Sequence, residues 1–400
     1  MSEKIALLED INPTASTVFE DAGFEVVTFP KSISPAEMAS MAANVRAIGI
    51  RSGPNIGAEA ITGSAMLEAI GCFCVEPNVD LDEANKAGVA VFNSVHENTR
   101  SVAEYVIGAT FALMRRIPEH SAKMHEGTWT KTDKKSHELL GKTIGIIGHG
   151  SIGSQVAVLA APLGMNVIYF DPASKFPPYG TSERVATIDD LYAQADIITL
   201  HVPGGEGTKN MINADSIAKM KDGAYIINAA RGSVLNEGDV KKALKKGKLA
   251  GVALDVFNNE PTKRGDPFVH ALQGVDGVVF SPHIGGSTIE AQSNIGRVVA
   301  EKLVGYLATG STAGSVNMPE LSLGEVETCT SRILNIHEDV PGVVADLGAL
   351  IATNGLNLIG TMQRANGKIG YVAFDVDGKV EPEFSDMITN YPRSIRTRIL

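Results

Sequence analysis

Short apolar runs recur along the first hundred residues, as IALLE, FEVVTF, RAIGIRS, LEAIGCFCV and GVAVFN, and each is separated from the next by a stretch with helical spacing. That rhythm predicts a parallel sheet with helices on its faces. At Ser101 the pattern changes: SVAEYVIGATFALMRRI is apolar around most of its circumference, which predicts a long buried helix ending near Pro118 and passing between domains. A second alternating series begins at Lys142, with TIGIIG, NVIYFD, DIITLHVP, AYIINAA, GVALDVF and GVVFSPH reading as six strands of a doubly wound sheet. The amphipathic STIEAQSNIGRVVAEKLVGYLATG then predicts a helix that returns the chain to the first domain, and GSTAGSVNMPELSLGE reads as a linker. The remaining segment predicts strand, helix, two strands turning at Asn366-Gly367, helix and strand, a small α+β module. Three folding units are expected.

Composition narrows the classes. The 400 residues are 44% hydrophobic and 20% charged, with 41 glycines and 18 prolines scattered along the chain, the profile of a packed globular protein of two or three domains. Lys and Arg number 35 against 46 Asp and Glu, a formal net charge of −11, so neither nucleic acid nor a membrane is expected as a partner. An anionic ligand must be caught by a local cationic pocket. The cysteines Cys72, Cys74 and Cys329 are too few for a disulfide framework, and no further Cys or His stands at metal spacing, so no metal is expected. The opening MSEKIALLEDINP lacks a basic n-region before an apolar core, and no run approaches the roughly 18 apolar residues of a membrane helix. A soluble, cytoplasmic protein is expected.

Chemistry enters at Gly148-His149-Gly150-Ser151-Ile152-Gly153, directly after the apolar residues 144–147 and opening the helix SQVAVLAAPLG. In such a turn the first glycine permits the tight bend, the second lets backbone approach a pyrophosphate, and the third allows close helix-to-strand packing; the helix N-terminus offers its unpaired N–H groups. Asp171 stands eighteen residues beyond Gly153 at the end of NVIYFD, where a carboxylate accepts both ribose hydroxyls and repels a 2′-phosphate. NAD is therefore expected over NADP.

Arg231, Glu260 and His283 follow three later apolar strands, and ligands of open α/β sheets sit at the carboxyl ends of strands. Singly, each has a plain alternative in a surface ion pair, a turn before Pro261 or a strand cap. Jointly they suit the oxidation of an alcohol beside a carboxylate. An imidazole, which ordinarily titrates near pH 6.5, can take or give the hydroxyl proton; a neighbouring carboxylate favours the imidazolium and fixes the ring; a guanidinium fork holds the substrate carboxylate.

GHGSIG with Asp171, NAARGSVLNE, LDVFNNEP and SPHIGGST together resemble the D-isomer-specific 2-hydroxyacid dehydrogenases, and IRSG, GCFC and NTRSVAE extend the resemblance over essentially the whole chain. It implies two doubly wound (Rossmann/flavodoxin-like) parallel-sheet lobes: a substrate-binding domain of residues 1–98 and 286–315 around an NAD-binding domain of residues 99–285. Arg231, Glu260 and His283 would be the catalytic set. Gly148, Gly150, Ser151, Ile152, Gly153, Asp171, Ala229, Ala230, Arg231, Asp255, His283, Ile284, Gly285 and Gly286 would line the NAD site, with Asp255 toward the nicotinamide carboxamide. The branch most resembled oxidises 3-phospho-D-glycerate to 3-phosphohydroxypyruvate, the first step of serine biosynthesis; a phosphorylated substrate needs a second cationic contact, for which Arg51 with Ser52, Arg100 and Lys131 are the candidates. Another D-2-hydroxy acid such as 2-hydroxyglutarate, or a non-catalytic NAD-sensing scaffold, is the alternative. Around Cys74 the chain departs from the pattern, with Val75-Glu76-Pro77-Asn78 replacing a longer glycine-containing turn, which bears on the choice of substrate.

Residues 326–400 resemble an ACT domain, a family of modules that bind amino acids at paired interfaces. His337, Asp339 and Asn357 would meet an effector such as serine, although serine-inhibited relatives usually carry Asn where this chain has Asp339; a purely structural dimerisation module is the alternative. The resemblance further implies a homo-oligomer, dimer or tetramer, pairing through the helix after Ser101. On this modular reading, deletion from about residue 325 spares the chemistry.

Overall fold

The computed structural model describes residues 3–31, 33–51, 53, 55–173, 182–261, 265–328 and 330–400, and the chain divides into two compact units, Met1–Glu97 with Gln292–Leu400, and Asn98–Ala291. In the first unit β1 (Lys4–Leu8), β2 (Glu25–Phe29), β3 (Ala47–Ile50), β4 (Ala69–Cys72) and β5 (Ala90–Asn93) form a parallel sheet in the order β2-β1-β3-β4-β5. β3, β4 and β5 are buried along their whole length because helices cover both faces, which is why they read as unbroken apolar runs. The amphipathic segment after Thr288 forms the helix Ile289–Thr309, and it lies so close to this sheet that a Cβ on Gly71 would sit 2.6 Å from Leu303.

The second unit holds β6 (Thr143–Ile147), β7 (Asn166–Phe170), β8 (Glu183–Arg184), β9 (Ile197–Leu200), β10 (Ala224–Asn228), β11 (Leu249–Leu254) and β12 (Val278–Phe280), all parallel, in the order β12-β11-β10-β9-β6-β7-β8. The strand order reverses between β6 and β9, and this switch point is where open α/β sheets leave a crevice. Six of these strands follow the apolar runs; β8 adds a seventh, made of two exposed polar residues with no hydrophobic signal. The helix after Asn98 runs over Thr99–Met114 and stops short of Pro118. Arg116 turns the chain in a left-handed conformation (φ 53°), and Pro118 lies in the first turn of a new helix, Ile117–His125, where its missing N–H costs nothing. Nor is the first helix buried all round. Val102, Ala103, Val106, Ala109 and Leu113 are buried, in a helix packed on Ser151–Ala160, while Phe111 is exposed.

The C-terminal segment forms β13 (Thr330–Glu338), β14 (Asn357–Ala365), β15 (Ile369–Asp377) and β16 (Ser394–Ile399), an antiparallel sheet in the order β14-β15-β13-β16, with the helices Val343–Thr353 and Pro382–Thr389 packed on one face. The mixed parallel α/β lobes and the separate small antiparallel sheet are the architecture expected from the sequence. The sheet's other face is not free. Leu334, Ile336, Ile369 and Tyr371 enter the core that also holds Phe92, Val299, Leu303, Tyr306 and Leu307. The Tyr371 hydroxyl donates to the Gly310 carbonyl at 2.6 Å, and the Arg398 guanidinium lies 4.7 Å from the Tyr306 ring centroid while pairing with Glu68 at 2.7 Å. The module is built into the first unit. Among the described residues no helix is long and apolar enough to cross a membrane, and no group of three His, Cys, Asp or Glu is placed to hold a metal.

Candidate active site

The glycine loop leaves β6 in a left-handed turn at Gly148 (φ 93°), so close to β9 that a Cβ there would lie 2.3 Å from the His201 carbonyl oxygen. A Cβ on Gly153 would lie 2.1 Å from the Gly148 oxygen, whereas Gly150 faces open space. The helix Ser151–Ala160 starts at Gly150 with no side-chain cap, so its first N–H groups are presented at this opening. At the end of β7, Asp171 Oδ2 accepts the His149 N–H at 2.8 Å and Oδ1 accepts the Ala173 N–H at 2.8 Å, which holds the carboxylate beside the glycine loop with lone pairs remaining on both oxygens. The His149 ring stacks on Tyr169 at 3.9 Å. His201 bonds Thr199 through Nε2 at 2.9 Å, but its buried Nδ1 meets no described partner, and burial pushes this imidazole down to about 3. A glycine cradle, an uncapped helix N-terminus, a held carboxylate and an orphaned buried nitrogen at one sheet edge fit a dinucleotide.

Arg231, Glu260 and His283 follow β10, β11 and β12, three neighbouring strands, at their carboxyl ends. His283 Nδ1 lies 2.7 Å from Glu260 Oε2, and the second carboxylate oxygen accepts the Phe257 N–H at 3.0 Å. The ring is 54% exposed, so Nε2 is left to face a substrate. His283 itself is in the left-handed region (φ 54°), a conformation that costs a non-glycine residue on the order of 1 kcal/mol and persists only where the surroundings impose it. Asp255 imposes it. Its carboxylate, 2% exposed, accepts the Ile284 N–H at 2.9 Å, the Gly285 N–H at 2.7 Å and the Ser281 hydroxyl, and Ser281 is also bonded to Tyr105 at 2.7 Å. Burial and the Asp255 charge push the Tyr105 phenol up to about 12. Gly286 packs against the Asn98 side chain, whose amide nitrogen would lie 2.6 Å from a Cβ there. Arg231 leaves the turn after Ala229 and Ala230 with Nη1 donating to the Ala230 carbonyl at 2.7 Å. The following Gly232 presses its backbone on the Glu260 loop: a Cβ there would be 2.1 Å from the Phe257 carbonyl carbon.

Residues 107–285 match the NAD binding domain of the D-isomer specific 2-hydroxyacid dehydrogenases. A D-3-phosphoglycerate dehydrogenase of Haemophilus influenzae is 41% identical over 399 residues, 99% of this chain and 97% of its own length. The chain belongs to this dehydrogenase family. D-3-phosphoglycerate dehydrogenase 1 of Saccharomyces cerevisiae is 40% identical over 96% of this chain and 84% of its own. A solved D-isomer specific 2-hydroxyacid dehydrogenase of Lactobacillus delbrueckii ssp. bulgaricus, in an NAD-complexed form, superposes with a TM-score of 0.69 at 26% identity, over 78% of this chain and all of its own (100%).

The other sequence candidates of this dehydrogenase are dispersed. Arg51 follows β3, and its charge acts on the Cys74 thiol; Ser52 lies outside the described residues. Arg100 is held by Glu104 at 2.6 Å on an exposed helix face, and Lys131 is exposed. The expected grouping of His337, Asp339 and Asn357 is not made within one chain. His337 is nearly buried and pairs with Gly370, while Asn357 pairs with Asp377 at the other end of β15, seven residues away by number (377 minus 370) and so about 24 Å at strand rise. Asp339 accepts the Gly367 N–H at 2.9 Å instead. Sequence reasoning missed Asn228, whose buried amide folds the Arg231 turn by donating to the Arg231 carbonyl at 3.0 Å and accepting from the Ala230 N–H at 3.1 Å. Its position as the last residue of an otherwise apolar strand was the available signal. It also missed His201, which ends a strand just as Arg231 and His283 do.

Proposed function

We propose that this dehydrogenase oxidises 3-phospho-D-glycerate to 3-phosphohydroxypyruvate, with the 2.7 Å His283–Glu260 contact as the observation that carries the reading. NAD, when bound, supplies the acceptor for the hydride that leaves the carbinol carbon. His283 Nε2 takes the hydroxyl proton, and returns it in the reverse direction. Because Nδ1 faces Glu260, its proton points at the carboxylate, which fixes the ring and stabilises the imidazolium once Nε2 is protonated. Arg231 holds the substrate carboxylate and so orients the carbon next to it. For the phosphate we favour Arg51, because Arg100 is already engaged by Glu104.

Asp171 is the proposed ribose contact. Changing it to alanine should weaken NAD and narrow the preference over NADP, measured as the ratio of kcat/KM for the two cofactors; an unchanged ratio removes the contact.

The second reading, a less highly charged D-2-hydroxy acid, is favoured by the turn after β4. Pro77 has no N–H, and the Asn78 N–H is spent on the Cys72 thiol; burial above all raises the Cys74 thiol to about 11, against the pull of Arg51 and with smaller help from the negative charge of Glu76 and Glu9. Initial rates of NADH oxidation with 3-phosphohydroxypyruvate, hydroxypyruvate and 2-oxoglutarate separate the readings. The phosphorylated acid should lead in kcat/KM; if 2-oxoglutarate leads, the second reading stands, and negligible rates with all three leave a scaffold.

The C-terminal module is proposed as an amino-acid site. Since Asn357 lies at the far end of the sheet from Asp339, an effector touching both must bridge two copies, in keeping with a homo-oligomer. The free thiols of Cys72 and Cys74 suit a cytoplasmic setting.

A further inference from the structure

Behind the His283–Glu260 contact lies a second histidine–glutamate pair. His270 is nearly buried, with its side chain 5% exposed, and its ring sits 5.2 Å from that of Phe257 and 5.3 Å from that of Phe280. Nδ1 accepts the Leu272 N–H at 3.2 Å, which leaves the ring proton on Nε2; that nitrogen lies 3.2 Å from Glu237 Oε1, near the carboxylate but not hydrogen bonded to it. The same oxygen accepts an N–H from the Asn258 amide at 3.1 Å. Glu237 is the first residue of the helix Glu237–Lys245, reached directly from the Arg231 turn. Asn258 belongs to the loop that delivers Glu260.

One carboxylate oxygen therefore ties the Arg231 side of the site to the Glu260 loop by a hydrogen bond, and lies against residues 268–272 at His270. The joint bears on the chemistry at one bond. Phe257, whose ring rests on His270, supplies the N–H that holds Glu260 Oε1 at 3.0 Å, and Glu260 Oε2 holds His283. We infer that Glu237 is a positioning residue which, through Asn258, fixes the loop that presents Glu260 to His283. The inference rests on the reading of His283 and Glu260 as the acid-base pair. An acidic residue in the first turn of a helix is favourable to the helix dipole wherever it stands, but that role requires neither partner.

The test compares E237A, E237Q and H283A by reduction of the preferred keto acid across pH. Glutamine keeps an oxygen that accepts from Asn258; alanine keeps none. Reduction needs a protonated His283, and Glu260 is the carboxylate bonded to it; Asp255, the next acid at this edge, is spent on Ser281, Ile284 and Gly285. E237A should therefore lower kcat about tenfold with KM for the keto acid within about threefold. It should also move the alkaline limb of the rate profile to lower pH, and E237Q should recover both. A limb that stays in place in E237A, or a loss that E237Q does not recover, overturns the inference. If E237A does not fold, N258A cuts the same link from the loop side and is judged by the same limb. Wild-type turnover in H283A would overturn the underlying acid-base reading instead.

Discussion

Replacing His283 by alanine is expected to lower turnover by about 10²–10⁴-fold, the range for losing a general acid-base group, while NADH binds nearly as before. The two effects separate because the residue's two parts do different things. Its ring is exposed, held by Glu260 at one nitrogen and turned outward at the other. Its backbone is fixed by bonds from neighbouring N–H groups to Asp255, and none of these uses the ring. Alanine keeps the backbone bonds and removes the proton carrier. The left-handed backbone adds a small stability cost in alanine, so H283N, which tolerates that conformation better, is the companion variant. Stopped-flow or steady-state rates with a fluorescence titration of NADH decide the matter. Retained turnover with lost NADH binding would make His283 a cofactor contact and not the base.

Much of this site was legible because its chemistry sits at strand ends. Arg231, Glu260 and His283 each interrupt or follow an apolar run, and a parallel sheet sends all such positions to one edge. What escaped depends on bonds made across loops, where no periodicity operates. Asp255 is read in sequence from its place at a strand end, which does not show that its buried carboxylate also bends the His283 turn. Gly232 reads as turn material until its packing on the Phe257–Asn258 peptide is seen. Similar reasons account for the fold-level misses. The apolar text runs on through Arg115 and Arg116, so only a left-handed residue there reveals the helix break. β8 has no apolar residue to betray it. The effector candidates sit on strands separated by β15, and the pairing of nine-residue strands carries His337 and Asn357 to opposite ends of the sheet, a placement that strand register decides and the motif does not state.

Deleting residues from about 325 onward is expected to unfold the first unit while leaving NADH binding to the second, the opposite of what a detachable module implies. The lost sheet contributes Leu334, Ile336, Ile369 and Tyr371 to a core shared with Phe92, Leu303, Tyr306 and Leu307. Uncovering even four large apolar side chains forfeits roughly 6–12 kcal/mol, at about 1.5–3 kcal/mol each, against a typical total of about 5–15 kcal/mol for a domain. The polar bonds point the same way: the Gly310 carbonyl loses its Tyr371 partner, and the Thr309 and Gly324 carbonyls lose the N–H groups of the nearly buried Arg332. The second unit keeps its own sheet and cores, which take nothing from residues beyond 325. A thermal melt of the truncated chain should therefore show a smaller residual transition that NADH still raises, with keto-acid turnover lost. A truncation that melts at the wild-type temperature and turns over normally would mean that the shared core contributes little, and that the C-terminal sheet rests on the first lobe without supporting it.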